Sequence, residues 1–281
     1  MRFLRYLKRN KRLAAGLSIL LFLFLFATLG RIIAPPANAY PLAVPANKPP
    51  SWQYPFGTDS QGRDLLAAAV MGTYLTVRIG FIAGVIGLTV GCVLGFMAAY
   101  YGGIFDTVIR WLVDVLLTVP GLLVLVVIAA TLQSTISPTS MSLVLALLAW
   151  MGPTRSIRAQ VLSLRERAFV RVARLSGMSS AEIIFKELFP NLLPFMGASL
   201  VGSVTGAIFA SLGLEQLGLG PMREPTLGMT IFWLQYYGAF VRGMWWWILT
   251  PIAVIVLLFM GLFFLSSGLD EFANPRLRRV V

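Results

Sequence analysis

The chain has 281 residues, of which 58% are hydrophobic and 12% are charged, and its formal net charge is +12. A soluble domain carries about twice that share of charged residues, so the composition excludes an ordinary soluble fold and predicts an all-α membrane protein. The single cysteine, Cys92, excludes an intrachain disulfide. Because histidine is absent, the usual zinc and haem sites and a Ser-His-Asp triad are not expected. We therefore predict no catalytic residue, metal site or cofactor in this chain.

Six apolar stretches reach or approach the about 20 residues that a helix needs to cross a bilayer. In chain order they are residues 14–33, 76–100, 110–132, 139–157, 191–212 and 247–267. The first follows a basic segment, as a signal peptide would, but its apolar run is long and the segment Arg31-Ile-Ile-Ala-Pro-Pro36 is a poor small-residue cleavage site, so we interpret it as a retained anchor. The prediction is six transmembrane helices, with residues 1–75 forming a tail, the first helix and an external loop, and residues 76–281 forming a core domain of five helices.

The basic residues predict which side of the membrane each loop occupies. With six spans, 17 of the 23 Lys and Arg residues fall on the side of the N-terminus. The other six are Arg31, Lys48, Arg63, Arg78, Arg223 and Arg242. Because positive charge accumulates in cytoplasmic loops, we expect both termini in the cytoplasm. We attribute the excess of Lys and Arg to the orientation of the chain in the membrane, not to nucleic-acid binding. Trp245, Trp246 and Trp247, at the end of the second external loop, suit a membrane interface.

Small residues form stripes along two of the spans at intervals of three and four. One stripe is Gly80, Gly84, Gly87, Gly91 and Gly95 in the second span, and the other includes Gly202 and Gly206 in the fifth. Residues at this spacing lie on one face of a helix and let two helix backbones approach closely. We predict helix packing on both stripes, and the same faces are also suited to slide against a partner subunit.

Ionisable groups are scarce in the spans. Asp106, Arg110 and Asp114 are spaced four residues apart at the start of the third span, which predicts a charge ladder along one helix. Proton-driven transporters usually carry carboxylates or histidines along the pathway, and their scarcity argues for another source of energy. The chain lacks a Gly-rich loop ending in Gly-Lys-Ser or Gly-Lys-Thr, so it is not expected to bind ATP itself.

The cytoplasmic loop, residues 158–190, contains the most informative local pattern. Helical periodicity through Leu164–Leu175 stops at Gly177, a residue typical of helix C-termini. Ser179 and Glu182 have the spacing of a capping box that starts a second helix. Pro190 and Pro194 are expected to close that helix and to begin the fifth span. The sequence therefore predicts two short helices that are joined by a glycine turn and displayed to the cytoplasm.

This loop resembles the EAA loop of the membrane subunits of ABC importers, in which Glu-Ala-Ala is followed by Gly and then by Leu-Pro. Ala173, Gly177 and Pro190 occupy the matching positions, whereas Arg171 and Val172 replace the usual Glu and Ala. The resemblance implies that this loop is a coupling helix that docks into a groove on an ATPase. The residues that it assigns to docking are Arg171, Ala173, Arg174, Gly177, Ser179, Ser180, Glu182 and Pro190.

Three further segments resemble the dipeptide, oligopeptide and nickel permease family. They are Phe56-Gly-Thr-Asp-Ser-Gln-Gly-Arg-Asp64, Leu217-Gly-Leu-Gly220 and the C-terminal segment 268–278, where Asn274 replaces the usual Asp. With the loop, they occur in the family's order and point to the C-type subunit. The first segment also suits a tight turn around Gly57 and Gly62, and we interpret it as structural rather than as a substrate contact.

The resemblance implies a type I importer in a bacterial or archaeal cytoplasmic membrane. Its expected partners are a second, homologous permease subunit, two ATPase subunits that bind ATP and Mg²⁺, and an extracytoplasmic solute-binding protein. Peptides are the leading solute, followed by oligosaccharides and nickel chelates. Two alternatives remain open at this stage, namely a channel or secondary transporter that works without ATP, and a structural scaffold of a membrane complex.

Overall fold

A computed structural model describes residues 10–132 and 136–273, which form a helical fold. In chain order the helices are α1 (Lys11–Ile33), α2 (Leu65–Tyr101), α3 (Gly103–Thr118), α4 (Gly121–Thr131), α5 (Pro138–Ala149), α6 (Met151–Arg165), α7 (Ala168–Leu175), α8 (Ser180–Gln216), α9 (Leu227–Tyr236) and α10 (Trp245–Ala273). Outside the described ranges lie the last residues of the 268–278 segment and seven of the terminal basic residues, namely Arg2, Arg5, Lys8, Arg9, Arg276, Arg278 and Arg279.

Four helices, α1, α2, α8 and α10, are long and apolar enough to cross a membrane, and α3 with α4 makes a fifth candidate if the pair is one span. The predicted third span, 110–132, is not one straight helix, because α3 and α4 meet at an angle of 83°. Pro120 explains the break: a proline drives the preceding residue out of the helical region, and Val119 is extended.

The predicted fourth span, 139–157, is also interrupted. Helix α5 has 12 residues, which is about 18 Å of helix and less than the about 30 Å of a hydrocarbon core. A new helix, α6, begins at Met151 after Trp150, and Pro153 lies in its first turn, where a missing N–H costs little. The described helices therefore give four or five candidate spans instead of the six expected from the sequence.

Helix α2 is the central element, and its glycine stripe is where its neighbours come closest. Gly80 and Gly84 lie against Ile208 and Val204 of α8, and a Cβ atom on Gly84 would lie 2.8 Å from the Val204 backbone nitrogen. The remaining stripe glycines face the junction of α5 and α6. A Cβ atom would lie 2.7 Å from the Ala149 carbonyl oxygen at Gly87 and 2.9 Å from the Thr154 carbonyl oxygen at Gly95. The glycine stripe of α2 thus packs against α8 along one part of the helix and against the junction of α5 and α6 along the other.

The glycine stripe on α8 does not pack against another helix of the described chain, although the sequence predicted helix packing on both stripes. A Cβ atom added at Gly202 or Gly206 would meet no atom within 4 Å in the described residues. Packing of these two glycines within the chain is therefore a wrong prediction, because their face of α8 borders an open cavity rather than another helix.

A matched pair of variants tests this difference. We expect Gly91→Ala to destabilise the folded chain by about 1–3 kcal/mol, because the new methyl would lie 2.9 Å from backbone atoms of Trp150 and Thr154, which cannot rotate away. Gly202→Ala, in open space, is expected to keep or slightly raise stability, since alanine is the better helix former. Thermal unfolding in detergent measures both, and equal stability of the two variants would contradict the close approach at Gly91.

The Phe56–Asp64 segment forms a buried cap at one end of the bundle. Gly57 and Gly62 have φ of 73° and 72°, as the predicted turns require. Asp59 accepts from the backbone N–H groups of Gln61 and Arg63 and pairs with the Arg63 guanidinium at 2.5 Å, and both side chains are buried. These internal contacts support the structural interpretation of the segment.

The cap is fastened to α10 by the tryptophans that begin that helix. The Trp246 indole donates to the Thr58 carbonyl oxygen at 3.3 Å. Trp247 is fully buried beside Leu65 and Leu234, whereas Trp245 is 57% exposed. The prediction of an interfacial tryptophan cluster therefore applies to Trp245, while Trp247 belongs to the core.

Candidate coupling surface and pathway cavity

The glycine turn predicted after α7 is present and has a defined hydrogen-bond pattern. Gly177 has a φ of 81°. Its N–H donates to the Arg174 carbonyl oxygen, and the Met178 N–H donates to the Ala173 carbonyl oxygen, both at 3.2 Å. This pair of bonds is a Schellman motif, which satisfies the last carbonyl groups of a helix and reverses the chain. The preceding helix is shorter than predicted, because extended Arg167 separates α6 from α7.

The second helix starts with the predicted capping box. The Ser179 hydroxyl accepts from the Glu182 N–H at 3.3 Å, and the Glu182 carboxylate accepts from the Ser179 N–H at 3.0 Å. Glu182 also accepts from the Lys186 ammonium at 2.8 Å, one turn further along. The start of α8 is thus fixed by bonds between residues three and four apart, with no need for a distant partner.

The two helices bury one face and expose the other. Val170 and Ala173 of α7 pack with Ile183 and Leu188 of α8 in a cluster that extends to α2 and α6. The opposite face carries exposed apolar and basic side chains, with Val172 60% and Leu175 89% exposed. We call the face formed by Arg171, Val172, Arg174, Leu175 and Phe185 the coupling surface. Its inner packing makes it rigid, and its outer face is left without a partner in the described chain.

Pro190 and Pro194 do not close the second helix as predicted. Helix α8 runs without interruption from Ser180 to Gln216, and its segment Ile183–Leu188 is a π-helix in which bonds span five residues. The Phe189 N–H donates to the Ile184 carbonyl oxygen, so the bonding register shifts just before Pro190, and the Asn191 side chain donates to the Glu187 carbonyl oxygen at 2.7 Å. These bonds satisfy carbonyl groups near prolines that have no N–H to donate.

Polar contacts tie α6, which leads into the coupling surface, to α2 and α3. The Arg158 guanidinium makes a two-bond contact with the Asp106 carboxylate of α3, one bond at 2.6 Å. Arg165 donates to the Ala99 carbonyl oxygen of α2, also at 2.6 Å. The predicted ladder within α3 is therefore wrong, because Asp106 pairs across to α6, and Asp114 approaches Arg155 at 3.9 Å.

An open cavity of about 470 Å³ lies between α8 and the group α4, α5 and α6. Its lining is uncharged and consists of small and apolar residues with three serines. Residues from α8 that line it are Ser199, Gly202, Ser203, Gly206, Ala207 and Ala210, and Ser156 faces them from α6. The glycine stripe of α8 therefore borders a space that can hold a solute or another subunit.

Two family models match this chain. Residues 91–279 match the binding-protein-dependent transport system inner membrane component family, and residues 1–50 match the N-terminal transmembrane domain of oligopeptide transport permease C. The chain belongs to the binding-protein-dependent transport permeases. The first match covers both the coupling surface and the cavity.

Curated relatives of this permease match it over nearly its whole length. It is 31% identical over 275 residues to the dipeptide transport system permease protein DppC of Bacillus subtilis (strain 168), which covers 98% of this chain and 85% of the relative. It is 30% identical over 274 residues to the oligopeptide transport system permease protein OppC of Mycobacterium bovis, with coverage of 96% and 92%. A DppC of Haemophilus influenzae is 28% identical over 280 residues. The permease is thus a transport component of the membrane and not a catalytic enzyme.

A buried carboxylate in this permease escaped the sequence analysis, because it lies just beyond the predicted fifth span. Glu215 is fully buried near the end of α8. Its two oxygens accept from the Ser211 hydroxyl at 2.7 Å, the Thr226 hydroxyl at 2.6 Å and the Met229 N–H at 3.1 Å. Glu215 therefore fastens the end of the 217–226 loop and the start of α9 to α8. An acidic residue two positions before a Gly-rich loop in an apolar helix was the available signal.

A second contact holds the same loop from the cap side. The Tyr40 hydroxyl donates to the Glu224 carboxylate at 3.2 Å. Partial burial, and secondarily the charge of Glu224, raise the pKa of Tyr40 above its usual value. The phenol therefore stays protonated at neutral pH and remains a donor. Contacts from α8 and from the cap together fix the loop at one end of the bundle.

The Asp106–Arg158 pair offers a test of mechanical connection in the permease. We expect Asp106→Lys to reduce uptake about tenfold or more, because it places two cations together at a contact that joins α3 to α6. The double variant Asp106→Lys with Arg158→Asp restores the charge pair and is expected to recover at least half of the uptake. Solute uptake at matched membrane levels measures both. A double variant no better than the single one would show that the pair does not act as a unit.

Proposed function

We propose that this permease is the C-type half of an ATP-driven importer for peptides or similar small solutes. The observation that carries the proposal is the coupling surface, an exposed face of a rigid helix pair that lacks a partner in the described chain. This helix pair is connected through α6 to the helices that line the cavity. The relatives named for dipeptide and oligopeptide transport support peptides as the solute. Oligosaccharides and nickel chelates are the next candidates.

Docking to an ATPase follows from the chemistry of the coupling surface. Exposed Val172, Leu175 and Phe185 gain about 25 cal/mol for each Å² of apolar area that a partner covers. Arg171 and Arg174 beside them favour a partner groove that carries acidic side chains. In this proposal, closure of two ATPases around ATP and Mg²⁺ moves the helix pair as a rigid body, and α6 passes the movement to the cavity. The capping box of Ser179 and Glu182, with Ser180 as the first residue of α8 between them, keeps the moving part stiff.

The pathway is proposed to form where the cavity meets a second, homologous permease subunit. Gly202 and Gly206 let that subunit or the solute approach α8 closely. The permease would cross the membrane six times, with α3–α4 and α5–α6 as two broken spans and both termini in the cytoplasm, as the distribution of basic residues supports. An extracytoplasmic solute-binding protein would deliver the solute at the cap end.

Purification of the chain from its native membrane in mild detergent, followed by reconstitution in vesicles, tests this proposal. We expect it to be recovered with a related permease and one or two ATPases, and to take up peptide only when ATP and the solute-binding protein are supplied. Peptide uptake by the chain alone, without ATP, would contradict the proposal and establish an ATP-independent channel or secondary transporter instead.

A further inference from the structure

We infer that a groove between α1 and α10 is a binding site for one phospholipid, whose acyl chain fills the groove. The groove has a volume of about 350 Å³ and lies at the cap end of the two helices. Phe22 and Phe26 form its α1 side, Leu249 and Ala253 form its α10 side, and Phe56 of the cap covers its end.

The chemistry of the lining selects a hydrocarbon ligand. The Thr250 hydroxyl in the groove already donates to the Trp246 carbonyl oxygen at 2.7 Å, and the Trp246 indole N–H is used by the Thr58 carbonyl oxygen. The other lining side chains, apart from the rim residue Trp245, are apolar. A peptide or another polar solute would leave its own donors and acceptors unpaired there, at a cost of about 1–3 kcal/mol for each group. An acyl chain carries no such groups.

The groove is continuous with a surface that faces the lipid. On α1, Leu21 and Phe24 are exposed, and on α10 so are Ile252 and Val256, although both helices are long and apolar enough to cross a membrane. A groove that opens on such a surface meets acyl chains as its surrounding solvent. It shares no lining residue with the cavity, so a second permease seated on the cavity leaves the groove open to lipid.

Both ends of the described chain lie far from the groove. Asn10 precedes α1 and Ala273 ends α10, at the helix ends away from the cap. Phe26 lies 15 residues beyond Lys11 in the same helix, a distance of about 22 Å. Lipid is therefore the occupant that the geometry favours.

Two residues at the cap end suit an anionic headgroup. Trp245 lines the groove and is exposed. Lys48 is held beside the cap by bonds in both directions: its N–H donates to the Thr58 hydroxyl, and its carbonyl oxygen accepts from the Thr58 N–H, each at 2.8 Å. A tryptophan and a lysine at the end of a span are placed as anchors at headgroup depth. We therefore expect phosphatidylglycerol to bind better than phosphatidylcholine.

Photocrosslinking tests the site without relying on transport. The full-length permease, with its copurifying subunits, is placed in nanodiscs that contain phosphatidylglycerol with a diazirine on the acyl chain, and labelled peptides are mapped by mass spectrometry. We expect labelling of the lining residues Leu23 and Phe26, which are buried or half-buried, at least fivefold above the exposed α1 residues Leu21 and Phe24. Uniform labelling of the two groups would overturn the proposal and indicate bulk lipid only.

Two tryptophan variants at neighbouring positions supply the control. Ala253→Trp places an indole inside the groove and is expected to reduce labelling of Leu23 and Phe26 at least fivefold. Ile252→Trp adds similar bulk to the outward face beside it and is expected to leave labelling unchanged. Equal labelling in both variants would also contradict the site. The wild-type labelling ratio decides the question if Ala253→Trp fails to fold.

Discussion

Gly177→Val is expected to reduce solute uptake about tenfold or more while ATP hydrolysis by the associated ATPases continues. Gly177 has a φ of 81° and closes the Schellman motif between α7 and α8. A left-handed conformation costs a residue with a Cβ atom about 1–2 kcal/mol, and a β-branched residue more. Since 1.4 kcal/mol is a factor of ten in an equilibrium, the turn is expected to rearrange. The coupling surface would then move away from the position that α6 and α8 now fix.

The comparison with Gly177→Asn separates conformation from contact. A Cβ atom at this position would meet no atom within 4 Å in the described residues, so crowding does not explain an effect. Asparagine tolerates the left-handed region, and this variant is expected to keep most of the uptake. The ratio of uptake to ATP hydrolysis, at equal membrane levels of the permease, is the measurement. Equal ratios in the two variants would sink the role of the turn.

The sequence predicts local features of the coupling surface well, because they depend on residues a few positions apart. The turn at Gly177 and the capping box at Ser179 and Glu182 are confirmed by their hydrogen bonds. Both use chemistry that is complete within six residues. The prolines at 190 and 194 gave a wrong prediction because a π-helical register shift, which the sequence does not display, absorbs them into α8. The docking role of these residues remains a prediction.

Long apolar helices were predictable from length and hydropathy, whereas broken ones were not. The first and last predicted spans correspond to α1 and α10, since a continuous apolar run allows few alternatives in lipid. The third and fourth predicted spans are interrupted at Val119–Pro120 and at Trp150. A sum of hydropathy over a window does not detect a local loss of backbone bonding. The better signal was the proline near each break, Pro120 at the first and Pro153 three residues after the second.

Contacts between residues far apart in the chain could not be predicted from the sequence. Asp106 had a plausible partner four residues away in Arg110, and only the fold shows that Arg158, 52 residues on, makes the two-bond contact. Similarly, both glycine stripes have the spacing of packing surfaces, but the one on α2 is covered by neighbouring helices and the one on α8 borders the cavity. The spacing shows that small side chains share one face of a helix. Only the tertiary structure shows whether another helix or a cavity lies against that face.

Glu215→Ala is expected to cost about 2–6 kcal/mol of folding stability, because two buried hydroxyl donors lose their acceptor at about 1–3 kcal/mol each. These donors are the Ser211 and Thr226 hydroxyls, while the Met229 N–H keeps its bond to the Thr226 hydroxyl oxygen at 3.2 Å. For a chain of this size the loss corresponds to a fall of about 10 °C in the midpoint of thermal unfolding. Uptake is expected to fall as well, because the 217–226 loop loses its attachment to Glu215, which lies five residues beyond the cavity-lining Ala210.

Glu215→Gln provides the matched control, because it preserves the shape and one carbonyl oxygen. That oxygen can accept from Thr226 and Met229, while the amide group donates to Ser211, whose hydroxyl can rotate to accept. We therefore expect Glu215→Gln to keep most of the stability and uptake that Glu215→Ala loses. A glutamine variant as unstable as the alanine variant would show that the negative charge, and not the set of acceptors, holds the loop to α8. Both midpoints are measured in the same detergent, so the difference between them reports the network alone.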